Sequence, residues 1–400
     1  MIFKDCHIMR NGFLIFCFVV LLAASPERAF AEDIHRIPED RSKAVFFVYY
    51  HIGEDQYPGA NIQLERFREH IQEMRSKEYN VLPLPQIVAA LKNGTKLPHH
   101  TIGITLEGAY RSTVENAVPL LLEAGLPFTL FITPERVDRA GGFYADWQDI
   151  RRLMRNDQVT IGAMPYTFRN LTRLDEDETR RQISRARARF REETGSIPEL
   201  FAFPYGEYTA GVQDILAEYG FTAAFAQHSG VAAHGASDLM ALPRFTMTDR
   251  YGGLDRFRLT ARSLPFPVTE EIPETMFRDE DISASQLIGF TLPESLRDAE
   301  GTPACFISGI GKIDLQITAD RRVTVPPVEN FTERRTRMNC TLPVLGAEET
   351  KHREQLWRWY GRIFVTRSAV DIEEDEEEDA ENIGRSPATT EEDSLSDFNE

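Results

Sequence analysis

Short apolar runs alternate with amphipathic segments between about residues 44 and 266. The runs are too short for buried helices and are bounded by polar or glycine-containing segments, which is typical of buried strands. Strands that alternate with helices predict a parallel sheet. The predicted strands are 44–50, 102–106, 128–132, 159–162, 200–203 and 222–226.

The segments between these strands show helical periodicity. Asn61 is a possible N-cap of the first helix. The apolar positions of that helix recur three and four residues apart, at Leu64, Phe67, Ile71 and Met74. Three glycines that each follow a periodic run are predicted to end helices: Gly94, Gly125 and Gly195.

This α/β pattern fits either a (β/α) barrel or an open doubly wound sheet over residues 44–266. Both architectures collect ligands at the carboxyl ends of the strands. We therefore expect the residues that follow the predicted strands to face one shared mouth. They are Tyr50, His51, Glu107, Met164, Pro204 and His228.

Beyond Pro265 the pattern becomes alternating and proline-punctuated. It predicts a linker over 267–282 and a small antiparallel β domain over 283–367. Trp357, Trp359 and Tyr360 either pack in the core of this domain or form a sugar-stacking surface, and core packing is the more frequent use of aromatics on a half-buried sheet.

The N-terminal residues have the pattern of a secretory signal peptide. Lys4 and Arg10 precede an apolar run over 13–24, and Ala29-Phe-Ala31 is a small-x-small cleavage site. An uncleaved membrane anchor is the alternative, but the run is shorter than the about 20 residues that cross a bilayer. We expect residues 1–31 to be removed, residues 32–43 to form an N-terminal linker, and the protein to be periplasmic or extracellular.

Two of the four cysteines, Cys6 and Cys17, would leave with that peptide. In an oxidising compartment the remaining pair, Cys305 and Cys340, is expected to form a disulfide. Two buried free thiols are the alternative.

The acidic residues are concentrated at the C-terminus. The chain has a formal net charge of −18, and residues 371–400 hold fourteen acids against Arg385. We expect residues 368–400 to form a disordered acidic tail that solubilises the protein, and a docking role for a basic surface or divalent cations is the alternative. Nothing in the composition indicates nucleic acid binding.

Three segments carry the candidate chemistry: Ile-Thr-Leu-Glu-Gly-Ala-Tyr at 104–110, Ile-Gly-Ala-Met-Pro-Tyr-Thr-Phe at 161–168 and Phe-Ala-Phe-Pro-Tyr-Gly-Glu at 201–207. Together with Val-Tyr-Tyr-His at 48–51, Asn-Leu-Thr at 170–172 and Ala-Leu-Pro-Arg-Phe at 241–245, they make residues 44–266 resemble the polysaccharide deacetylase, or NodB homology, domain of carbohydrate esterase family four. The resemblance implies a distorted (β/α) barrel and removal of acetyl groups from glycans.

The resemblance also implies a divalent metal held by one aspartate and two histidines, beside a carboxylate base. The metal polarises the acetyl carbonyl and acidifies a bound water. Here the base position is Glu107, and the three ligand positions hold groups that do not bind a hard cation, namely Gly108, Met164 and Phe168. We therefore expect no metal cofactor and no conventional deacetylation.

The same resemblance implies a substrate groove that can outlast the loss of the metal. Its aromatic wall in the third motif either lines this groove or packs the barrel rim. The candidate substrate-binding residues are His51, Tyr110, Tyr166, Phe203, Tyr205, Glu207, His228 and Arg244.

Three functional hypotheses follow. The favoured one is a secreted non-catalytic protein that binds an acetylated or deacetylated polysaccharide or assists another envelope component. The second is an active carbohydrate N-deacetylase with a rearranged centre at His51, Glu107 and His228. The third is an interaction protein that engages an envelope partner through its β domain or acidic tail.

Overall fold

The structure is a computed structural model. It describes residues 42–139, 141–279, 287–296, 301–326, 334–344 and 356–367. The predicted signal peptide, nearly all of the N-terminal linker and the acidic tail lie outside the described residues. Across the described ranges, no helix is long and apolar enough to cross a membrane.

The described part of residues 44–266 contains a curled, mostly parallel sheet of nine strands. Its main path runs β10-β1-β5-β6-β7-β8-β9, while β4 pairs with β5 and β11 with β1, and β2 and β3 form a separate parallel pair. The strands are β1 Lys43–Tyr49, β2 His51–Ile52, β3 Asn61–Ile62, β4 Asn80–Val81, β5 Thr101–Glu107, β6 Phe128–Ile132, β7 Val159–Ala163, β8 Leu200–Ala202, β9 Ala223–Phe225, β10 Ala232–Ala233 and β11 Phe245–Thr246. The predicted parallel sheet is confirmed, because each predicted strand overlaps an observed one.

The segment between Leu242 and Thr246 bridges the two edges of this sheet. Leu242 pairs in parallel with Phe225 of β9, and Phe245 of β11 pairs in parallel with Phe47 of β1. The sheet therefore curls into the barrel-like arrangement, with the strand ends gathered at one mouth.

Helices cover the sheet. Gly94, Gly125 and Gly195 adopt the left-handed conformation at the ends of three of them, as predicted. The predicted N-cap at Asn61 is wrong, because Asn61 belongs to β3 and the first helix is preceded by Gln63. The helices are α1 Leu64–Met74, α2 Leu84–Asn93, α3 Val118–Ala124, α4 Pro134–Arg139, α5 Trp147–Leu153, α6 Glu176–Thr194, α7 Ala210–Glu218 and α8 Leu254–Ala261, with a π-helical turn Thr113–Ala117 before α3.

Two apolar cores lie on opposite faces of the sheet. Alternate residues of β1 enter different cores, with Phe47 in one and Phe46 in the other. Phe46, Phe131 and Phe225 come from strands that are not neighbours, yet their rings meet at centroid distances of 5.1 and 5.5 Å. These contacts fill the inside of the curled sheet with side chains.

The C-terminal region forms two further sheets. One has the order β12-β21-β20-β16-β17 with β14 paired to β21, and the other β13-β15-β19-β18. The predicted antiparallel domain is present, although β12 and β14 join β21 in parallel. The strands are β12 Leu264–Pro265, β13 Thr269–Ile272, β14 Phe277–Asp279, β15 Ile288–Thr291, β16 Ala304–Ile307, β17 Gly311–Ile313, β18 Gln316–Ile317, β19 Arg322–Val325, β20 Arg335–Pro343 and β21 Trp357–Arg367.

The segment 267–282 differs from the expected linker. Its described part contains β13 and β14. These strands were not predicted because alternation over four or fewer residues is a weak sequence signal. The predicted disulfide is confirmed: Cys305 and Cys340 are directly opposite on β16 and β20, and their Cα atoms are 4.0 Å apart.

Two aromatic residues of β21, Trp359 and Tyr360, pack against other side chains. The Trp359 ring meets Phe245 of the barrel edge to face at 5.3 Å, and its Nε1 donates a hydrogen bond to Asn339. The Tyr360 ring lies 5.3 Å from Phe290 in the β-domain core. Both side chains thus hold the β domain together and against the barrel.

Candidate functional site

Glu107, at the family's base position, is sealed inside the barrel at the end of β5. Its side chain is 1% exposed, and Oε2 lies 2.8 Å from Nη2 of Arg244, which is fully buried. The two atoms lack the alignment of a hydrogen bond. Burial raises the pKa of Glu107, and the positive charge of Arg244 only partly opposes this shift. Both residues were predicted at the site, and both lie beneath its surface.

Gly108, at the position of the metal-binding aspartate, faces the ring of Tyr110. A Cβ atom at this glycine would lie 2.3 Å from Cε2 of that ring, and the glycine has a φ of +100°. A side chain here would therefore clash and adopt an unfavourable backbone conformation. The Tyr110 ring therefore fills the space beside the position that the resemblance assigns to the ligand carboxylate.

The two histidine positions of the family are also occupied by packed apolar groups. Met164 is fully buried in one of the barrel cores. The half-buried ring of Phe168 is covered by Arg136, whose Cζ lies 4.0 Å from the ring centroid. Phe168 also forms an edge-to-face pair with Tyr205 at 5.2 Å.

His51 belongs to the same aromatic group. Its ring lies 3.7 Å from the Tyr110 centroid and 4.2 Å from that of Tyr57, and its Nδ1 contacts the Glu54 carboxylate. Burial lowers the pKa of His51 although Glu54 opposes the shift. His51 is thus a packed rim residue with a carboxylate partner of its own.

Of the three candidate binding residues in the third motif, one is exposed and two are buried. Tyr205 is 36% exposed and has a positive φ of 58°. Phe203 is fully buried against Phe201, whereas the buried Glu207 carboxylate accepts a hydrogen bond of 2.6 Å from Asn170. The predicted aromatic wall is therefore divided between packing and surface.

Glu207 also links the two parts of the molecule. Arg334 donates hydrogen bonds of 3.3 and 3.1 Å to its two oxygen atoms, and Nε of Arg335 lies 3.8 Å away. Arg335 is the first residue of β20 in the C-terminal sheets, and Arg334 precedes it. The β domain thereby neutralises a carboxylate of the barrel motif.

His228 does not join the mouth residues. It lines a cleft of about 1030 Å³ between barrel and β domain, together with Tyr208, Trp359 and Tyr360. Burial lowers the pKa of His228 to about 4, and nearby arginines add to the shift. The proposed convergence of His51, Glu107 and His228 is not observed, since each has different neighbours.

Tyr166 has other partners: its hydroxyl donates to Asp138 and its ring is covered by Arg185 of α6. Sequence reasoning missed Arg136 and Tyr144. Arg136 follows β6 directly in α4, so its position after a strand was the available signal.

The residues present do not fit the family's metal. The ligand positions carry no nitrogen or oxygen donor, and Arg136 places a cation over one of them. Within the part of the chain that the structure describes, no three His, Cys, Asp or Glu side chains are grouped closely enough to hold a metal ion.

Comparison with known proteins agrees with this architecture. Residues 94–224 match the family model described as polysaccharide deacetylase. A search of curated proteins found no match.

Two solved structures share the fold. The Streptococcus pyogenes deacetylase PplD, solved in complex with acetate, is 14% identical with a TM-score of 0.51, covering 55% of this chain and 99% of its own. IcaB from Ammonifex degensii is 20% identical with a TM-score of 0.50, covering 56% of this chain and 98% of its own. We conclude that this chain contains a polysaccharide deacetylase-type domain, followed by β-rich sheets.

Proposed function

We propose that this protein is a secreted, non-catalytic glycan-binding or accessory protein of the cell envelope, which uses a deacetylase fold without the family's metal chemistry. The observation that carries the proposal is the filling of the Gly108 position by the Tyr110 ring, whose Cε2 would lie 2.3 Å from any Cβ atom introduced there. A ligand carboxylate at this position would have to displace the Tyr110 ring, which supports the loss of the metal site.

The state of Glu107 supports the same proposal. A general base must reach the water that it deprotonates. Glu107 is almost completely buried and faces Arg244, so its carboxylate is directed into the barrel rather than to a water at the mouth. The exposed Tyr205 ring leaves an aromatic surface on which a sugar can stack.

The test combines activity and binding. The purified protein is incubated with N-acetylglucosamine oligomers and zinc, cobalt or nickel, and released acetate is measured beside a Glu107→Ala variant. We expect no release above the variant. Calorimetry with acetylated, deacetylated and acidic oligosaccharides is expected to show binding of at least one class.

Acetate release that disappears in Glu107→Ala would overturn the proposal and favour the rearranged deacetylase. Failure to bind any glycan would favour the third hypothesis, in which the β domain or acidic tail engages an envelope protein.

A further inference from the structure

Arg136 is a buried cation that has no anionic partner among the described residues. Its side chain is 8% exposed. Nη1 donates a 3.2 Å hydrogen bond to the Tyr110 hydroxyl, and the guanidinium lies against the rings of Phe168 and Tyr144. No carboxylate of the described residues forms an ion pair with it, and the groups that surround its guanidinium are neutral aromatic rings.

The carboxylates around Arg136 are already engaged. On its own helix, Glu135 pairs with Arg139, and Asp138 lies 2.7 Å from Nε of Arg189. In the motifs, Glu107 faces Arg244 and Glu207 faces arginines of the β domain. Each of these four carboxylates therefore has another arginine as its partner, and none of them forms an ion pair with Arg136.

Burying the charge of Arg136 in this way destabilises the folded protein unless a ligand supplies a counter-charge. A charge removed from water is destabilising when no counter-charge replaces the lost hydration. Stacking on aromatic rings recovers part of this free energy, but neutral rings do not cancel the charge. A guanidinium carries five N–H donors, and Tyr110 accepts from one of them.

We propose that the mouth of the barrel binds a carboxylate-bearing glycan of the uronate type, with the sugar carboxylate on Arg136 and a sugar face on Tyr205. The inference rests on the proposed function and names its ligand class. A carboxylate matches the planar guanidinium and balances its single charge. Phe168 contacts both side chains, so the buried cation and the exposed ring lie on the same aromatic residue.

The test compares three oligosaccharides of equal length at low ionic strength: hexagalacturonate, the N-acetylglucosamine hexamer and the glucosamine hexamer. We expect the unaltered protein to bind hexagalacturonate about ten-fold or more tightly than either other hexamer. The chain has a net charge of −18 and repels polyanions overall, so such binding reports a local site.

Arg136→Gln is expected to weaken hexagalacturonate binding about ten-fold or more. Arg139→Gln is the matched control, because it makes the same charge change on the same helix at a more exposed side chain. It should bind like the unaltered protein. Arg136→Lys keeps the charge without the planar fork and should bind with intermediate affinity.

Preference for the acetylated or the amino hexamer, or unchanged affinity in Arg136→Gln, would overturn the inference and leave glycan binding intact. Failure of all three hexamers to bind would overturn both this inference and the proposed glycan-binding function. If Arg136→Gln does not fold, the inference is tested by the preference of the unaltered protein for hexagalacturonate and by the affinity of Arg136→Lys for the same hexamer.

Discussion

Arg244 and Glu107 form an ion pair in the interior of the barrel, with 2.8 Å between Nη2 and Oε2 and exposures of 0% and 1%. Arg244 also donates a 2.7 Å hydrogen bond from Nε to the carbonyl of Ala226 in the chain segment after β9. The pair therefore connects the first motif to the segment that bridges the edges of the sheet.

Removing one member of this pair should be strongly destabilising. Arg244→Ala leaves the Glu107 carboxylate buried without compensation, and we expect the free energy of unfolding to fall by about 3–5 kcal/mol. Arg258→Ala is the control, because its 2.8 Å pair with Glu73 is partly exposed and should contribute less than about 1 kcal/mol. Urea unfolding measures both, and equal losses would contradict the role assigned to burial.

Restoring a carboxylate at the lost ligand position should not restore a metal site. Gly108→Asp must displace the Tyr110 ring and hold an aspartate at φ +100°, so we expect a loss of about 1–3 kcal/mol in unfolding free energy. Gly253→Asp is the matched control, since Gly253 precedes α8 with a φ of −61° and open space around it. Thermal unfolding and zinc titration test this, and zinc binding by Gly108→Asp would contradict the account of the filled site.

The stability of the barrel should depend on the protonation of His70. This fully buried ring lies 3.0 Å from the Tyr49 hydroxyl and 2.8 Å from the Gly252 carbonyl oxygen, and burial lowers its pKa to about 4. A folded-state pKa below the unfolded value means that the unfolded chain takes up the proton first. The contribution is therefore complete above about pH 6.5 and lost as the pH falls towards 4, with a size of about 3 kcal/mol.

Chemical unfolding between pH 7 and 4 checks this dependence. In His70→Gln the decline in stability should be shallower than in the unaltered protein. His99→Gln, which changes an exposed histidine, should retain the original slope. Parallel pH profiles for His70→Gln and the unaltered protein would contradict the prediction.

The disulfide should stabilise the C-terminal sheets. Cys305 and Cys340 are both buried and close a loop with a sequence separation of 35, so Cys340→Ser is expected to cost about 3–4 kcal/mol. The unaltered protein in reducing buffer is the matched control and should unfold at nearly the same denaturant concentration as the variant. No difference between oxidised and reduced protein would show that β-strand pairing alone suffices.

The regular elements were predictable because their signals are local. The strands β1 and β5 are almost wholly buried and rich in apolar residues, and helix ends at Gly94, Gly125 and Gly195 require only a residue that tolerates positive φ. The Asn61 cap failed because a polar residue ahead of a helix has other partners, here Glu54 N and Asp249.

The candidate site was predictable only in part. His51, Tyr110, Phe168 and Tyr205 do come together, but His228 lies in the cleft against the β domain. Arg136 was missed because an arginine in the first turn of a helix is usually solvated. Its burial depends on aromatic residues that are distant in the sequence.

The sequence by itself determined the deacetylase-type motifs and the absence of ligand side chains at Gly108, Met164 and Phe168, since residue identity is enough to exclude a donor atom. Only the tertiary structure decided what fills those positions. Tyr110 occupies the Gly108 space, Arg136 covers Phe168 and Arg244 faces Glu107. These contacts could not be read from the sequence because they join strand ends that meet only when the sheet curls. Burial, charge balance and close packing at the site all depend on that meeting.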